Sequence, residues 1–234
     1  MQDLLINLLA SVIAGVAVWL AQRVLRRRRM ARERAFFGLA ENGTCLLSVA
    51  RHFSSPRRAS VHRRDVAALV ELATLARECG AHADLANDGA LAQGFGRLTE
   101  FCVGGPSGNP RTATHLRTIL RGVTFADGVE TITVGGVKYR FEPGVAEYVV
   151  LARAWGPARD RPVFVLAGQT APTNLAAARY LTAQHRTLSR TYGSDRQFCL
   201  VLRIVEPAVY GADFVELVAD VTDSAFQAPS EPEG

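Results

Sequence analysis

The sequence predicts an α/β domain of Rossmann-like type: a mostly parallel sheet with helices on both faces and an antiparallel edge, preceded by one N-terminal transmembrane helix. Three observations predict it. At three places a short apolar run breaks into a polar or glycine-bearing turn and then into a helical segment; residues 4–21 are almost wholly apolar; and one late run alternates instead of being continuously apolar. Strand, loop and helix in repeated succession is the pattern of a parallel sheet whose loops emerge at the carboxyl ends of its strands. With 234 residues, 48% apolar and 21% charged, the chain fits one core and a small appendage. The expected division is an anchor with a basic juxtamembrane segment (1–34), the α/β domain (35–224) and a disordered tail (225–234).

In the apolar stretch only Asn7 and Ser11 are polar. At 1.5 Å per residue it spans about 27 Å, close to the hydrocarbon thickness of a bilayer. A cleaved signal peptide carries its positive charge ahead of the apolar run, whereas here Gln2 and Asp3 precede it and arginines follow. By the positive-inside rule those arginines face the cytoplasm, which places the domain there and the short N-terminus outside. The expected location is therefore the cell membrane, single-pass, with the domain cytoplasmic. Ser11 and Gly15 form one small-xxx-small pair, the spacing through which two anchors would pack as a homodimer.

After a linker that prolongs the helix to about residue 37, residues 44–50 read as the first strand and 51–60 as a basic loop. Ser60 is the expected N-cap of a helix whose buried stripe is Val66, Leu69, Val70 and Ala73, stopped by Gly80. Residues 81–97 show no clear period, with a short helix expected near 85–93. The strand at 100–103 runs into a glycine loop, with Asn109 as N-cap and Pro110 at the first helical position. Gly135-Gly136 joins 131–134 to 137–141 in a primed hairpin, expected at the sheet's edge or over a loop. Strands follow at 147–154 and 162–168. Pro172 then opens an Ala-rich helix through His185, and a further apolar strand covers 197–205. In 214–221, Val215, Leu217, Ala219 and Val221 alternate with Glu216 and Asp220, marking an antiparallel edge strand with one solvated face.

Charge narrows the function classes. Residues 22–34 hold seven arginines against Glu33, a net of +6, and subtracting this from the formal +5 leaves −1 for everything else. A near-neutral domain is not expected to bind nucleic acid in general, because such affinity comes from neutralising phosphates. Cys45, Cys79, Cys102 and Cys199 form no Cys-x-x-Cys pair and read as small buried hydrophobes in a reducing compartment. The five histidines show no i, i+4 ligand pair, so no metal site is expected, and no motif specifies a cofactor.

If the three strand-loop-helix units share one sheet, three segments converge at its mouth. These are the basic loop (His52, Ser54, Arg57, Arg58), the glycine loop (Gly104, Gly105, Ser107, Asn109) and the central turn (Gly168, Gln169, Thr170, Thr173, Asn174). Glycines allow close backbone approach and helix-start amides attract anions, so a phosphate-bearing, nucleotide-like ligand is the expectation. Neither loop matches Gly-x-Gly-x-x-Gly or the P-loop. For glycosidic hydrolysis the acids to consider are Asp65, Glu100 and Glu147; the last two open their strands, which puts them at the end away from the loops.

The pattern Gly104-Gly105-Pro106-x-x-Asn109, followed after about sixty residues by Val165-Leu166-Ala167-Gly168-x-Thr170-x-x-Thr173-x-x-Ala176-Ala177, resembles the Rossmann-like modules of archaeal S-layer proteins. Its loop logic is similar to that of nucleotide-sensing Rossmannoid domains of the SLOG type. The resemblance covers residues 98–186 and implies a Rossmann-like sheet without carrying over an activity. It departs from S-layer modules in that those are exported, while this domain is expected in the cytoplasm. The leading expectation is a membrane-anchored sensor or effector of a nucleotide-like or other anionic small molecule. The alternatives are a nucleotide- or nucleoside-processing hydrolase of the same fold and a membrane-tethered protein-interaction module without a ligand.

Overall fold

The computed structural model describes residues 2–52, 55, 60–86, 96–126, 130–156 and 160–228, without the side chains of residues 3–12, 208 and 210. The chain begins with α1 (Gln2–Phe37), then β1 (Thr44–Val49), α2 (Arg63–Glu78), β2 (His82–Leu85), β3 (Thr99–Val103) and α3 (Pro110–Thr118). Next come β4 (Val123–Ala126), β5 (Thr131–Val134), β6 (Val137–Arg140), β7 (Ala146–Trp155), β8 (Pro162–Gly168) and α4 (Ala171–Tyr192). The last elements are β9 (Phe198–Val205), α5 (Pro207–Tyr210), β10 (Val215–Asp220) and α6 (Thr222–Ala225).

Seven strands form the main sheet in the order β10-β9-β7-β8-β3-β1-β2. From β2 to β8 every pairing is parallel, and from β8 to β10 every pairing is antiparallel. Five of the seven strands point one way, and β10 is the expected antiparallel edge. Antiparallel pairing nevertheless reaches inward to β7, beyond the edge. The connection from Trp155 to Pro162 is too short for a crossover, so the chain can only reverse there. The four parallel strands stand in the order second, first, third, fourth of a doubly wound sheet. The chain leaves β1 onto one face through α2 and leaves β3 onto the other through α3, so the topological switch point lies between β1 and β3.

Strands β3 and β8 are buried along their whole length, as continuous apolar runs require. Phe101, Val103, Phe164 and Leu166 face one way and pack with α2, α4 and the end of α1. Cys102, Val163, Val165 and Ala167 face the other. The Gly135-Gly136 hairpin forms, both glycines having positive φ. It gains β4 as a third strand and lies on a face of the main sheet, not at its edge: Ile132, Val134 and Tyr139 share a core with Val150, Ala152 and Cys199.

Three local readings are corrected. The N-cap of α2 is His62, whose Nδ1 accepts from Arg64 N, and the buried stripe is Ala68, Leu72, Leu75 and Ala76. Val66 and Val70 face outward, and Leu69 and Ala73 are half-buried at the stripe's margin. Residues 82–85 form β2, because hydrogen bonding beside β1 overrides an indistinct sequence period; residues 87–95 lie outside the described residues. In β10 the alternation is broken by a bulge between Leu217 and Ala219, which leaves Leu217 exposed. Of the expected disordered tail (225–234), residues 229–234 lie outside the described residues, while Ala225 is fully buried and Phe226 packs beside it, so the ordered domain runs past residue 224.

Among the described residues no helix is long and apolar enough to cross a membrane. Half of the 4–21 stretch, residues 4–12, lies outside the described side chains, and those that follow, including Ile13, Val16 and Trp19, are exposed. The helix runs on without a break until Phe36 and Phe37 are fully buried against Phe164, Phe101 and Phe198.

Arg153 fixes that junction. Its guanidinium is completely buried over the rings of Phe36, Trp155 and Phe198 at 4.5, 5.1 and 5.3 Å. It donates to Phe36 O (3.0 Å) at the end of α1, to Gly193 O (2.9 Å) at the end of α4 and, through Nε, to Arg196 O (3.1 Å) in the loop that follows. Helix carboxyl ends carry partial negative charge, so one cation serves two of them. Burial lowers its pKa to about 10, which leaves it protonated at neutral pH. Arg153→Met therefore lowers the unfolding free energy by about 3 kcal/mol, since it orphans buried carbonyls. Arg153→Lys recovers only part, because one ammonium cannot serve both helix ends. Urea denaturation followed by tryptophan fluorescence reads both.

Candidate functional site

The loops after β1, β3 and β8 meet at one end of the sheet. Ala50 N donates to Val103 O (2.9 Å), Arg51 N to Gly108 O (3.0 Å) and Gly104 N to Leu166 O (2.8 Å). Ser48 Oγ donates to Asn109 Oδ1 (3.0 Å), and Asn174 Nδ2 reaches across to Asp65 Oδ1 (2.9 Å) at the start of α2. At the switch point this leaves a crevice of about 160 Å³, lined by Ser48 on β1, Arg51 just after it, Ala86 after β2, and Gly108, Asn109 and Arg111 at the start of α3. Of the basic loop, Ser54, Arg57 and Arg58 lie outside the described residues. His52 stacks on the ring of His62 (5.4 Å) and its N–H donates to Ser60 O.

The glycine loop and the central turn are built differently from the sequence expectation. Gly104 has φ +105°, and a Cβ there would lie 2.3 Å from Ala50 Cβ. A Cβ on Gly168 would lie 2.0 Å from Thr173 Oγ1. The close approach that these glycines permit is thus made by the chain itself. Gly105 is buried, its carbonyl accepting from Asn109 N, while Ser107 is exposed.

Helix-start amides are taken in the same way. Asn109 Oδ1 accepts from Arg111 N (3.0 Å) and Thr112 N (3.3 Å), and Pro110 has no N–H to offer. Thr170 and Thr173 form a reciprocal capping box on α4, and Asn174 N donates to Thr170 O. Asn174 Oδ1 holds Gly168 N (2.8 Å). Gln169 accepts from Tyr148 N (2.8 Å) and donates to Glu130 O (2.9 Å) and Tyr139 O (3.0 Å), tying the small sheet to the turn. Gly168, Gln169, Thr170, Thr173 and Asn174 therefore shape the mouth. The polar side chains that line the crevice are those of Ser48, Arg51, Asn109 and Arg111, of which only Asn109 was among the expected site residues.

The three acids occupy three separate settings. Glu100, on β3, is bound by Arg111 (Nη2 to Oε1, 2.6 Å; Nε to Oε2, 3.2 Å) and by His115 Nε2 (3.2 Å), all three being buried. Burial opposes its ionisation, but the hydrogen bonds of His115 and Arg111 and the arginine's charge hold the carboxyl below its usual range. The i, i+4 spacing of Arg111 and His115 behind a strand-borne glutamate was the signal for this cluster. Ligand-type atoms of Glu100, Cys102 and His115 lie within 4.8 Å of one another. With a guanidinium already on that carboxylate, and burial pushing the Cys102 thiol up, the arrangement suits an ion pair better than a metal.

Glu147 stands at the mouth, accepting from Thr170 Oγ1 (2.6 Å), and not at the far end. The reversal of β7 turns its first residues toward the loops. Burial raises the Asp65 pKa, while the Asn174 hydrogen bond and the nearby imidazoles of His62 and His52 oppose that shift. All four cysteines are buried and free, with Cys45 pushed up to about 12 and Cys79 to about 11, so neither is an ionised nucleophile at neutral pH.

Two outcomes follow from this geometry. Gly104→Ala costs about 2 kcal/mol of stability, measured by urea denaturation, and adding Ala50→Gly relieves the contact without relieving the positive φ. A carboxyl whose folded pKa is depressed contributes stability above its unfolded value that is lost as pH falls through the folded one. The stability difference between wild type and Glu100→Gln is therefore largest near neutrality and shrinks as pH drops below the ordinary glutamate value of 4.5, as paired denaturation curves from pH 7 to pH 3 will show. No protein-family model, curated protein or solved structure matches the chain, so the chemistry of the crevice rests on its own residues.

Proposed function

We propose that this chain is a single-pass membrane protein whose Rossmann-like domain, on the cytoplasmic side, binds a small anionic molecule in the crevice between β1 and β3 and acts as its sensor or effector. The observation that carries the reading is the crevice's position at the switch point of a doubly wound sheet, where Ser48, Asn109 and the cations of Arg51 and Arg111 face one small space. Glu100 already pairs with Arg111, and Arg51 lines the same walls. Nucleotide-like ligands remain the class to look for, through a phosphate held by side chains instead of by helix-start amides. The hydrolase alternative is weaker, since Glu100, Asp65 and Glu147 are each engaged by a different partner. The interaction-module alternative is favoured by the filled glycine loops and by the exposed Phe214, Leu217 and Val218 on or beside the edge strand β10.

Two measurements test the proposal. Alkaline carbonate extraction of membranes leaves the full chain in the pellet if residues 4–21 span the bilayer. Full-length protein purified in mild detergent and then denatured releases a phosphate-containing metabolite, identified by mass, that Arg51→Glu protein no longer carries at an unchanged melting temperature. Equal retention by the variant would move the site elsewhere, and protein that carries no metabolite would favour the interaction module.

A further inference from the structure

At the end of the sheet opposite the crevice, α1 and α4 enclose a groove of about 340 Å³. One face of α1 supplies Arg28, Arg29 and Arg32, the same face that ends in Phe36 one turn further on, and α4 supplies Arg186 and Arg190. The groove's one acid is Glu33, which already binds Arg29 (3.0 Å) and Arg186 (3.3 Å), with Nε2 of the half-buried His185 3.3 Å away. Arg28, Arg32 and Arg190 have no acidic partner among the described residues, so five guanidiniums face one carboxylate and the groove carries +4.

We infer that this groove is a binding site for an anionic phospholipid headgroup carrying two phosphates. The inference rests on the reading of residues 4–21 as a membrane span, and three features support it. Arg28 follows Ala21 by seven residues, about 10 Å along the helix, at the outer edge of the headgroup layer and within reach of extended arginine side chains. Arginine forks bind phosphate oxygens in bidentate geometry, and five of them exceed what a single phosphate can use. Topology determinants need only lie on α1, whereas here α4, far along the sequence, adds two arginines to the same groove. A lipid seated there would clamp α4 to the anchor.

The test uses the full chain purified in nonionic detergent and offered equimolar phosphatidylcholine, phosphatidylglycerol and cardiolipin, with bound lipid read by native mass spectrometry. Cardiolipin is retained over phosphatidylcholine by at least about tenfold, and the double variant Arg32→Glu, Arg190→Glu loses that preference. The control double variant Arg23→Gln, Arg27→Gln, on residues that do not line the groove, keeps it. Melting curves confirm that both variants fold. Loss of preference in the control, or no preference in wild type, overturns the headgroup site while leaving the anchor intact. Displacement of cardiolipin by an equal concentration of inorganic pyrophosphate would also overturn it, making the groove a site for a soluble polyanion. Release of the chain by carbonate would remove the anchor reading and this inference with it.

Discussion

A buried guanidinium whose hydrogen bonds go to carbonyls and not to a carboxylate is expensive, and in this fold Arg153 meets that cost with the carbonyls at two helix ends, the faces of three aromatic rings and the nearby charge of Asp195. Much else depends on it. Phe36 can enter the core because the carbonyl behind it has a donor, and α4 can stop at Gly193 against β7 and β9 because its last carbonyls do too. Thr99 and Arg161 complete the same junction by donating to Gly38 O. Gly38 has φ +63°, and any side chain there would strike Pro162.

The two ends of the sheet have different characters. The base is a cationic junction that joins the N-terminal helix to the core. The mouth is a web of neutral caps, Asn109, Thr170, Gln169 and Asn174, that fixes loop positions without lending charge. Helix α4 belongs to both, with its first turn bonded to Gly168 and Asp65 through Asn174 and its end held by Arg153. At 22 residues it is about 33 Å long.

Apolar runs and turn residues made most of the strands legible. The Asn109-Pro110 helix start, the Gly135-Gly136 hairpin and the antiparallel last strand are written in local chemistry and all three formed, although the hairpin lies on a face of the sheet and a bulge breaks the last strand's alternation. The direction of β7 is not written in its own residues, because an apolar run pairs equally well either way and only the shortness of the following connection decides. The same limit misplaced Glu147. The mouth was legible as a place where loops converge, but not in the division of labour within it. A glycine or a threonine near a helix start reads alike whether it meets a ligand or another loop, and Ala50 against Gly104 is a contact between residues 54 apart. The Arg153 junction left no local trace at all, since nothing beside an arginine in an apolar strand says that two helix ends will close over it.

Helix α1 runs from Gln2 to Phe37, and between Gly15 and its docked end it holds neither glycine nor proline. It is a shaft keyed into the domain. Successive residues on a helix turn by about 100°, so the number of residues between the apolar stretch and Phe36 sets the azimuth of the whole domain about that shaft. Were two shafts to pair through Ser11 and Gly15, a twist at that contact would arrive at both crevices as a rotation, with no flexible segment between to absorb it. On the proposed reading of residues 4–21 as a membrane span, the bilayer would then be a reference frame for direction.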